Sequence, residues 1–133
     1  MTSLSPIHLN VFSGEDSLVQ YYDPDCHLPL PLVELPRSLN PYREDGVRIY
    51  AKMMTFLPAH NVKSLPALNM LQAPSGLVTK DTNKIIEYSS GSTVISIAIL
   101  ARVLHGINDV HAYLSNKTSR AKLRLMQFFG LEM

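Results

Sequence analysis

Hydrophobic and polar positions divide this chain into two regimes. Up to about residue 41 the apolar residues are scattered among prolines. Beyond it, short apolar runs alternate with polar turns and longer apolar stretches. Six of the nine prolines, Pro6, Pro24, Pro29, Pro31, Pro36 and Pro41, fall in the first stretch. Each lacks a backbone N–H and has a fixed φ, so no long helix is expected there. The pattern predicts a Pro-rich extended arm over residues 1–28, then a short strand at Leu32–Leu35, with turns at Asp23-Pro24 and Asn40-Pro41. The polar stretch Asn40–Gly46 leads into a second strand, Val47–Lys52. Two strands joined by such a turn can pair antiparallel.

From there to Leu71 the chain reads IYAKMMTFLPAHNVKSLPALNML. Strand-like residues give way to an irregular segment around Pro58, and Lys63 comes just before a helix start. Ser64 is the expected N-cap and Pro66 falls in the first turn, where a missing N–H breaks no helical bond. Ala67, Leu68, Met70 and Leu71 supply the apolar stripe. Lys63 is then at the positive end of a helix macrodipole, partly buried, a setting that favours the neutral amine over the ammonium. The neutral amine is the form that attacks carbonyls, so the position suits a Schiff-base lysine. A lysine beside a helix start is equally a solvated surface residue.

Gln72–Lys84 has the composition of a surface loop. A strand, Ile85–Tyr88, follows, then the polar turn Ser89-Ser90-Gly91-Ser92-Thr93 and an apolar stretch, Thr93–His105, that stops at Gly106. Its β-branched residues would permit a strand. Its length and the glycine stop predict a buried helix. Asp109–Ser115 is the next strand and Thr118–Phe129 the next helix, with Leu125, Phe128 and Phe129 expected on its buried face and Arg120, Lys122 and Arg124 on the other. Gly130 caps it. The alternation over residues 47–130 predicts an α/β fold: a partial three-layer parallel sheet with flanking helices.

A polar turn between a strand and a buried helix is where anions sit in such sheets. The first-turn N–H groups are unpaired, and the hydroxyls of Ser89, Ser90, Ser92 and Thr93 add donors. A serine-rich turn also caps helices without binding anything. No nucleophile elbow, Walker loop or dinucleotide fingerprint is present.

Composition narrows the remaining options. Of 133 residues, 17% are charged and the net charge is +1, with no tryptophan and no basic run. That balance argues against a nucleic-acid footprint or an electrostatic membrane anchor. The longest apolar run, Val94–Leu100, is interrupted by Ser96 and is far short of the roughly 20 residues a membrane span needs. The start, MTSLSPIHLN, lacks a secretory pattern, and a single cysteine, Cys26, excludes an internal disulfide, so a cytoplasmic location is expected. The histidines show no metal-ligand spacing. Met53, Met54 and Met70 are expected to fill the core.

The order and spacing of these segments resemble the N-terminal part of the fold-type II pyridoxal-phosphate enzymes, a group that includes cysteine synthase, cystathionine β-synthase, threonine synthase and the tryptophan synthase β chain. Leu30-Pro31-Leu32-Val33 resembles the family's opening strand and Ile49–Lys52 its second. Asn61-Val62-Lys63 with Pro66–Met70 resembles the segment whose lysine holds the cofactor. Glu87–Thr93 is similar to the loop that grips the substrate carboxylate, and His111–Gly130 to the strand and helix after it. The resemblance covers residues 29–133.

It implies that Lys63 carries pyridoxal phosphate and serves as acid and base, that Ser89, Ser90, Gly91 and Thr93 bind the amino-acid carboxylate, and that Ser92 touches the cofactor where the family has asparagine. Asn61, Ser64 and Leu65 depart from the family's usual residues around the lysine, and Val94 stands where glycine is common. The family's glycine-rich phosphate loop and its pyridine-nitrogen partner would follow Met133. The expectation is therefore a truncated β-replacement or elimination enzyme, inactive alone, with cofactor binding weak or lost. The expected partners are an amino acid or small carboxylate and a further copy or second chain supplying the missing half. Two alternatives are a pseudoenzyme that acts as a binding or regulatory module, and a structural remnant.

Overall fold

A computed structural model describes residues 10–73, 78–89 and 91–133. Residues 1–9 of the expected arm, residues 74–77 of the surface loop and Ser90 lie outside the described residues.

The arm is less extended than its prolines imply. Between Pro6 and Pro24 lies a proline-free window, and there Ser17–Tyr22 forms a short helix, α1. Asp23 closes it into the expected turn, its carboxylate accepting the Asp25 N–H at 2.9 Å. β1 (Leu32–Glu34) and β2 (Tyr50–Lys52) pair antiparallel, with Val33 opposite Ala51. The turn between them is built on Asn40, which is 1% exposed. Its Nδ2 donates to the Val47 carbonyl at 2.8 Å and its Oδ1 accepts the Tyr42 N–H at 3.2 Å. β1 and β2 thus form their own two-stranded sheet, and β2 does not join the parallel one.

The remaining elements are α2 (Ser64–Gln72), β3 (Lys84–Glu87), α3 (Ser92–His105), β4 (Asp109–Ala112) and α4 (Arg120–Phe128). β3 and β4 are parallel neighbours, Ile85 beside Val110, joined through α3. After α4 the chain returns to β4: the Ala112 N–H donates to Glu132 O at 2.8 Å, and the Glu132 N–H to Val110 O at 3.0 Å. The α/β class with parallel pairing therefore holds for residues 84–132.

α3 is buried around most of its circumference by Val94, Ile95, Ile97, Ala98, Leu100 and Ala101. Its end is a Schellman cap. Gly106, at φ +68°, donates to Arg102 O, and Ile107 donates to Ala101 O, both at 3.1 Å; the left-handed φ is the reason for glycine there.

α4 corrects an expectation. Its buried residue is Met126, with Leu123 and Phe129 packed against the core, whereas Leu125 is 50% and Phe128 81% exposed. Counting apolar residues along the helix had placed Leu125 and Phe128 inside. The arc that meets the core instead follows Leu123, Met126 and Phe129, spaced by three. Met70 is likewise partly exposed, and among the described residues Met126 is the fully buried methionine.

Candidate functional site

α2 and α3 lie side by side and run in the same direction. At one end the Ser96 hydroxyl donates to Asn61 Oδ1 at 3.2 Å; at the other, His105 Nε2 donates to the Leu71 carbonyl at 3.2 Å. The two spans, 61 to 71 and 96 to 105, are nearly equal in length, so the helices are in step. Both N-termini therefore emerge at the same end of the molecule, and with them Lys63 and the polar turn that precedes α3.

Lys63 occupies the N-cap position of α2, and Ser64 is the first helical residue. Ser64 had been expected to cap. Instead it is buried and turned back, its Oγ donating to the Asn61 carbonyl at 3.1 Å. The local fold is set by Asn61, whose Oδ1 accepts the Lys63 N–H at 2.8 Å and whose Nδ2 donates to the Ala59 carbonyl at 2.8 Å. Lys63 is exposed rather than partly buried.

Ahead of Asn61 the backbone turns sharply. Ala59 and His60 both adopt left-handed φ values, +58° and +52°, a conformation that costs a non-glycine residue of order 1–2 kcal/mol. The turn is held by hydrogen bonds. The His60 N–H donates to Leu57 O at 2.9 Å, and its ring Nδ1 to Thr55 O at 3.1 Å. Strain of this kind collects where the chain must present a residue in a fixed direction.

Of the polar turn, Ser89, Gly91 and Thr93 are half-buried and Ser92 is exposed. It lies at the C-terminal end of β3, where open parallel sheets bind ligands. Gly91 is the N-cap of α3 and, among the described residues, no side chain caps the first turn. Those N–H groups, at the positive end of a 14-residue helix, can receive an anion. Val94, which stands where the family prefers glycine, is fully buried in the core. A cavity of about 120 Å³ beside the turn is lined by Gly91, Ser92, Ile95, Lys122, Leu125 and Met126. A larger cleft of about 260 Å³ lies at the opposite end of α2, against Met70, Leu71 and β3, away from Lys63.

Asn61 and Ser96 were not among the site residues expected from the sequence. Each left a trace: an asparagine three residues before a helix start forms Asx turns, and Ser96 is the single polar position in the Val94–Leu100 run. Among the described residues no group of three or more metal-binding side chains gathers, and no helix is long and apolar enough to cross a membrane.

The fold and this paired set of helix N-termini define a class. Residues 25–133 match the family of pyridoxal-phosphate dependent enzymes, and the chain belongs to that family. It is 38% identical over 103 residues to a putative mitochondrial cysteine synthase of Saccharomyces cerevisiae, covering 75% of this chain and 25% of that protein. It is 30% identical over 104 residues to the cysteine synthase of Aquifex aeolicus, covering 77% and 31%. The crystal structure of a hydrogen sulfide-producing enzyme from Fusobacterium nucleatum superposes with a TM-score of 0.64 at 30% identity, over 77% of this chain and 32% of that one. The chain thus spans a quarter to a third of the length of these relatives.

Proposed function

We propose that this chain is the lysine-bearing N-terminal portion of a cysteine-synthase-like enzyme, acting on an amino acid by β-replacement or elimination with pyridoxal phosphate attached through Lys63. The observation that carries the reading is the in-step pairing of α2 and α3, which gathers Lys63 and the uncapped first turn of α3 at one end. An amine that holds an aldehyde and N–H groups that hold a carboxylate must face the same small molecule at once. The relatives named as cysteine synthases and as a hydrogen sulfide-producing enzyme support this branch of the family.

The residues present fit part of what the cofactor requires. Lys63 offers an exposed amine on a fixed backbone, and Ser92 one hydroxyl donor toward the cofactor ring. Bound there, pyridoxal phosphate supplies the electron sink for chemistry at the amino acid's α and β carbons. Ser89, Ser90, Gly91 and Thr93 hold the carboxylate, and the Lys63 amine carries the proton to and from the α carbon. The phosphate is a different matter. The six glycines, at 14, 46, 76, 91, 106 and 130, nowhere cluster, so these 133 residues contain no glycine-rich cup. That cup and the pyridine-nitrogen partner come from the rest of the family fold, in the same chain or from a partner, and these residues alone bind the cofactor weakly without turnover. The proposal places the protein in the cytoplasm, on its single, unpaired thiol at Cys26.

A second reading, a binding or regulatory module for a partner chain, is favoured by the exposed apolar side chains on both sheets: Leu32, Val33 and Tyr50 on one, Ile86 on the other with Tyr88 and Tyr113 just beyond its strand ends. A parallel pair such as β3–β4 is ordinarily covered on both faces, and the antiparallel β1–β2 pair adds a second exposed apolar surface.

The test is covalent capture. Pyridoxal phosphate added to the chain should produce a visible absorption band, borohydride should fix the label on Lys63, and Lys63→Ala should abolish both. Label spread evenly over Lys52, Lys63, Lys80, Lys84, Lys117 and Lys122 would remove the assignment. Turnover of serine or O-acetylserine by the 133 residues alone, above the free-cofactor background, would overturn the claim of inactivity. If the chain changes the rate of a full-length relative without itself being labelled, the module reading is the correct one.

A further inference from the structure

The proposed site has a part that neither Lys63 nor the serine turn supplies: something must fix one helix N-terminus relative to the other. From the geometry we infer that Asn61 is the positioning residue that sets Lys63 against the Ser89–Thr93 turn, and that it acts through Ser96 as a coupled pair. This rests on the reading of Lys63 as the cofactor lysine.

Three hydrogen bonds converge on the Asn61 carboxamide. Its Oδ1 accepts from the Lys63 N–H at 2.8 Å and from the Ser96 hydroxyl at 3.2 Å, and its Nδ2 donates to the Ala59 carbonyl at 2.8 Å. One oxygen thus serves both elements, taking up both its lone pairs. The Ala59 bond locks the side chain's orientation and clamps the left-handed turn at Ala59 and His60. The Lys63 bond fixes the backbone from which the reactive amine projects.

The Ser96 end is the rigid one. Ser96 is 1% exposed and lies within the buried run Val94–Ala98. A serine inside a helix commonly bonds back to the carbonyl four residues earlier. Here its hydroxyl reaches across to another segment. It is one helical turn beyond Ser92, so it reports the position of the very turn whose N–H groups no side chain caps among the described residues. A buried helix with little freedom to shift therefore dictates, through one hydroxyl, where the exposed Lys63 segment lies. Asparagine suits this task because its acceptor and donor are separate atoms on a longer side chain: Oδ1 meets Lys63 and Ser96 while Nδ2 reaches Ala59, functions that a serine hydroxyl offers only from a single atom.

The experiment uses the full 133-residue chain with Asn61→Ala, Ser96→Ala, the double variant and Asn61→Asp, which keeps the accepting oxygen. Two readouts are taken: hydrogen exchange of the Lys63 amide by NMR, and the rate of borohydride-fixed pyridoxal-phosphate labelling at Lys63 relative to the other lysines. In Asn61→Ala the preference for Lys63 should fall about tenfold, and in Ser96→Ala by several-fold, of the order expected for losing hydrogen bonds at a partly buried site. The double variant should be no worse than Asn61→Ala, since both act through one link. Asn61→Asp should restore Lys63 amide protection. In Ser96→Ala the Lys63 amide should exchange faster while that of Ala112 in β4 is unchanged.

Additive losses in the double variant, or unchanged Lys63 exchange in Ser96→Ala, would overturn the inference. Where Asn61→Ala does not fold, Ser96→Ala and Asn61→Asp decide it. Even labelling of the wild-type chain would sink the cofactor-lysine reading alone, because the exchange measurement needs no cofactor and still tests the link.

Discussion

The N-terminal region, residues 10–52, and the region built from α2, β3, α3, β4 and α4 are held together by different forces. Every member of the buried apolar cluster lies at or beyond Ala67. Among the described residues of the N-terminal region the single buried one is Asn40, a polar side chain that organises a turn. There Tyr22 alone reaches the core cluster from its edge, and the other contacts are ring packing among Phe12, Tyr21, Tyr22 and His27, hydrogen bonds and surface ion pairs. Glu34 pairs with Arg43 and, at 2.9 Å, with Arg48, while Arg37 pairs with Glu44 at 2.9 Å. Exposed ion pairs contribute little, typically about 0–1 kcal/mol each, whereas burial of a large aliphatic side chain contributes about 1.5–3 kcal/mol. The two regions should therefore differ sharply in local stability, and the site sits on the stronger one, since its link runs through buried Ser96.

The largest expected effect is in the core. Leu100→Ala should cost about 2–5 kcal/mol, because it leaves a cavity in a close-packed helix face. Denaturant unfolding would show it as a lower midpoint, and hydrogen exchange should rise throughout residues 84–112. An effect confined to residues 10–52 would break the distinction between the regions.

Asn40→Ala comes next. It removes the bonds to the Val47 carbonyl and the Tyr42 N–H, groups on half-exposed residues that water can reach, a loss of about 0.5–1.5 kcal/mol per bond. The consequence should stay local: faster exchange at β1, β2 and the turn between them, with α3 and β4 unaltered. A global loss equal to that of Leu100→Ala would mean that the two regions unfold as one unit.

A smaller effect concerns the uncovered surfaces. Tyr88 and Tyr113 are 78% and 60% exposed, near the ends of β3 and β4. Apolar side chains on a sheet with an open face recruit partners. Chromatography with light scattering at micromolar concentration should show a dimer or larger species, shifted toward monomer by Tyr88→Ser with Tyr113→Ser. Stability should move by no more than about 0.5 kcal/mol, as for other exposed positions. A sharp monomer peak from the unaltered chain would refute the expectation.

The smallest effect is one of pH, and each region carries one group that reports it. Hydrogen bonds from Arg43 and Arg48 hold the Glu34 carboxyl below its ordinary 4.5. At Asp109 burial pushes upward, but hydrogen bonds and charge from Lys84 and His111 outweigh it and leave the carboxyl below 3.8. A depressed carboxylate stabilises the fold at pH above its ordinary value, and that contribution disappears as pH falls through it toward the folded-state value. Both contributions are thus intact at neutral pH. Acidification below about 4.5 for Glu34 and 3.8 for Asp109 should weaken first the N-terminal sheet, then the β3–β4 pair. Glu34→Gln and Asp109→Asn should each flatten its own step, read as exchange rate against pH.

By itself the sequence determined the local elements and the chemistry they carry. Apolar length and the Gly106 stop predict α3, since Thr93–His105 is longer than an ordinary strand and ends at a glycine, which outweighs its β-branched content. Alternating strands and turns specify β3 and β4, and a lysine before a helix start marks the site segment. These are short-range matters of backbone sterics and periodicity. What only the tertiary structure decided rests on contacts between distant residues. Periodicity shows that α4 has an apolar side, yet the core accepts Leu123, Met126 and Phe129 and leaves Leu125 and Phe128 outside, because the neighbouring elements fix the arc that is covered. The antiparallel pairing of β1 with β2 was legible in the turn between them, but that this pair stands as its own sheet, apart from the parallel β3 and β4, depends on how the elements pack. The segment that carries Lys63 is tied to α3 where Asn61 meets Ser96, 35 residues away in the chain. Each residue is unremarkable in its local window, and the hydrogen bond exists only once α2 and α3 have packed in step.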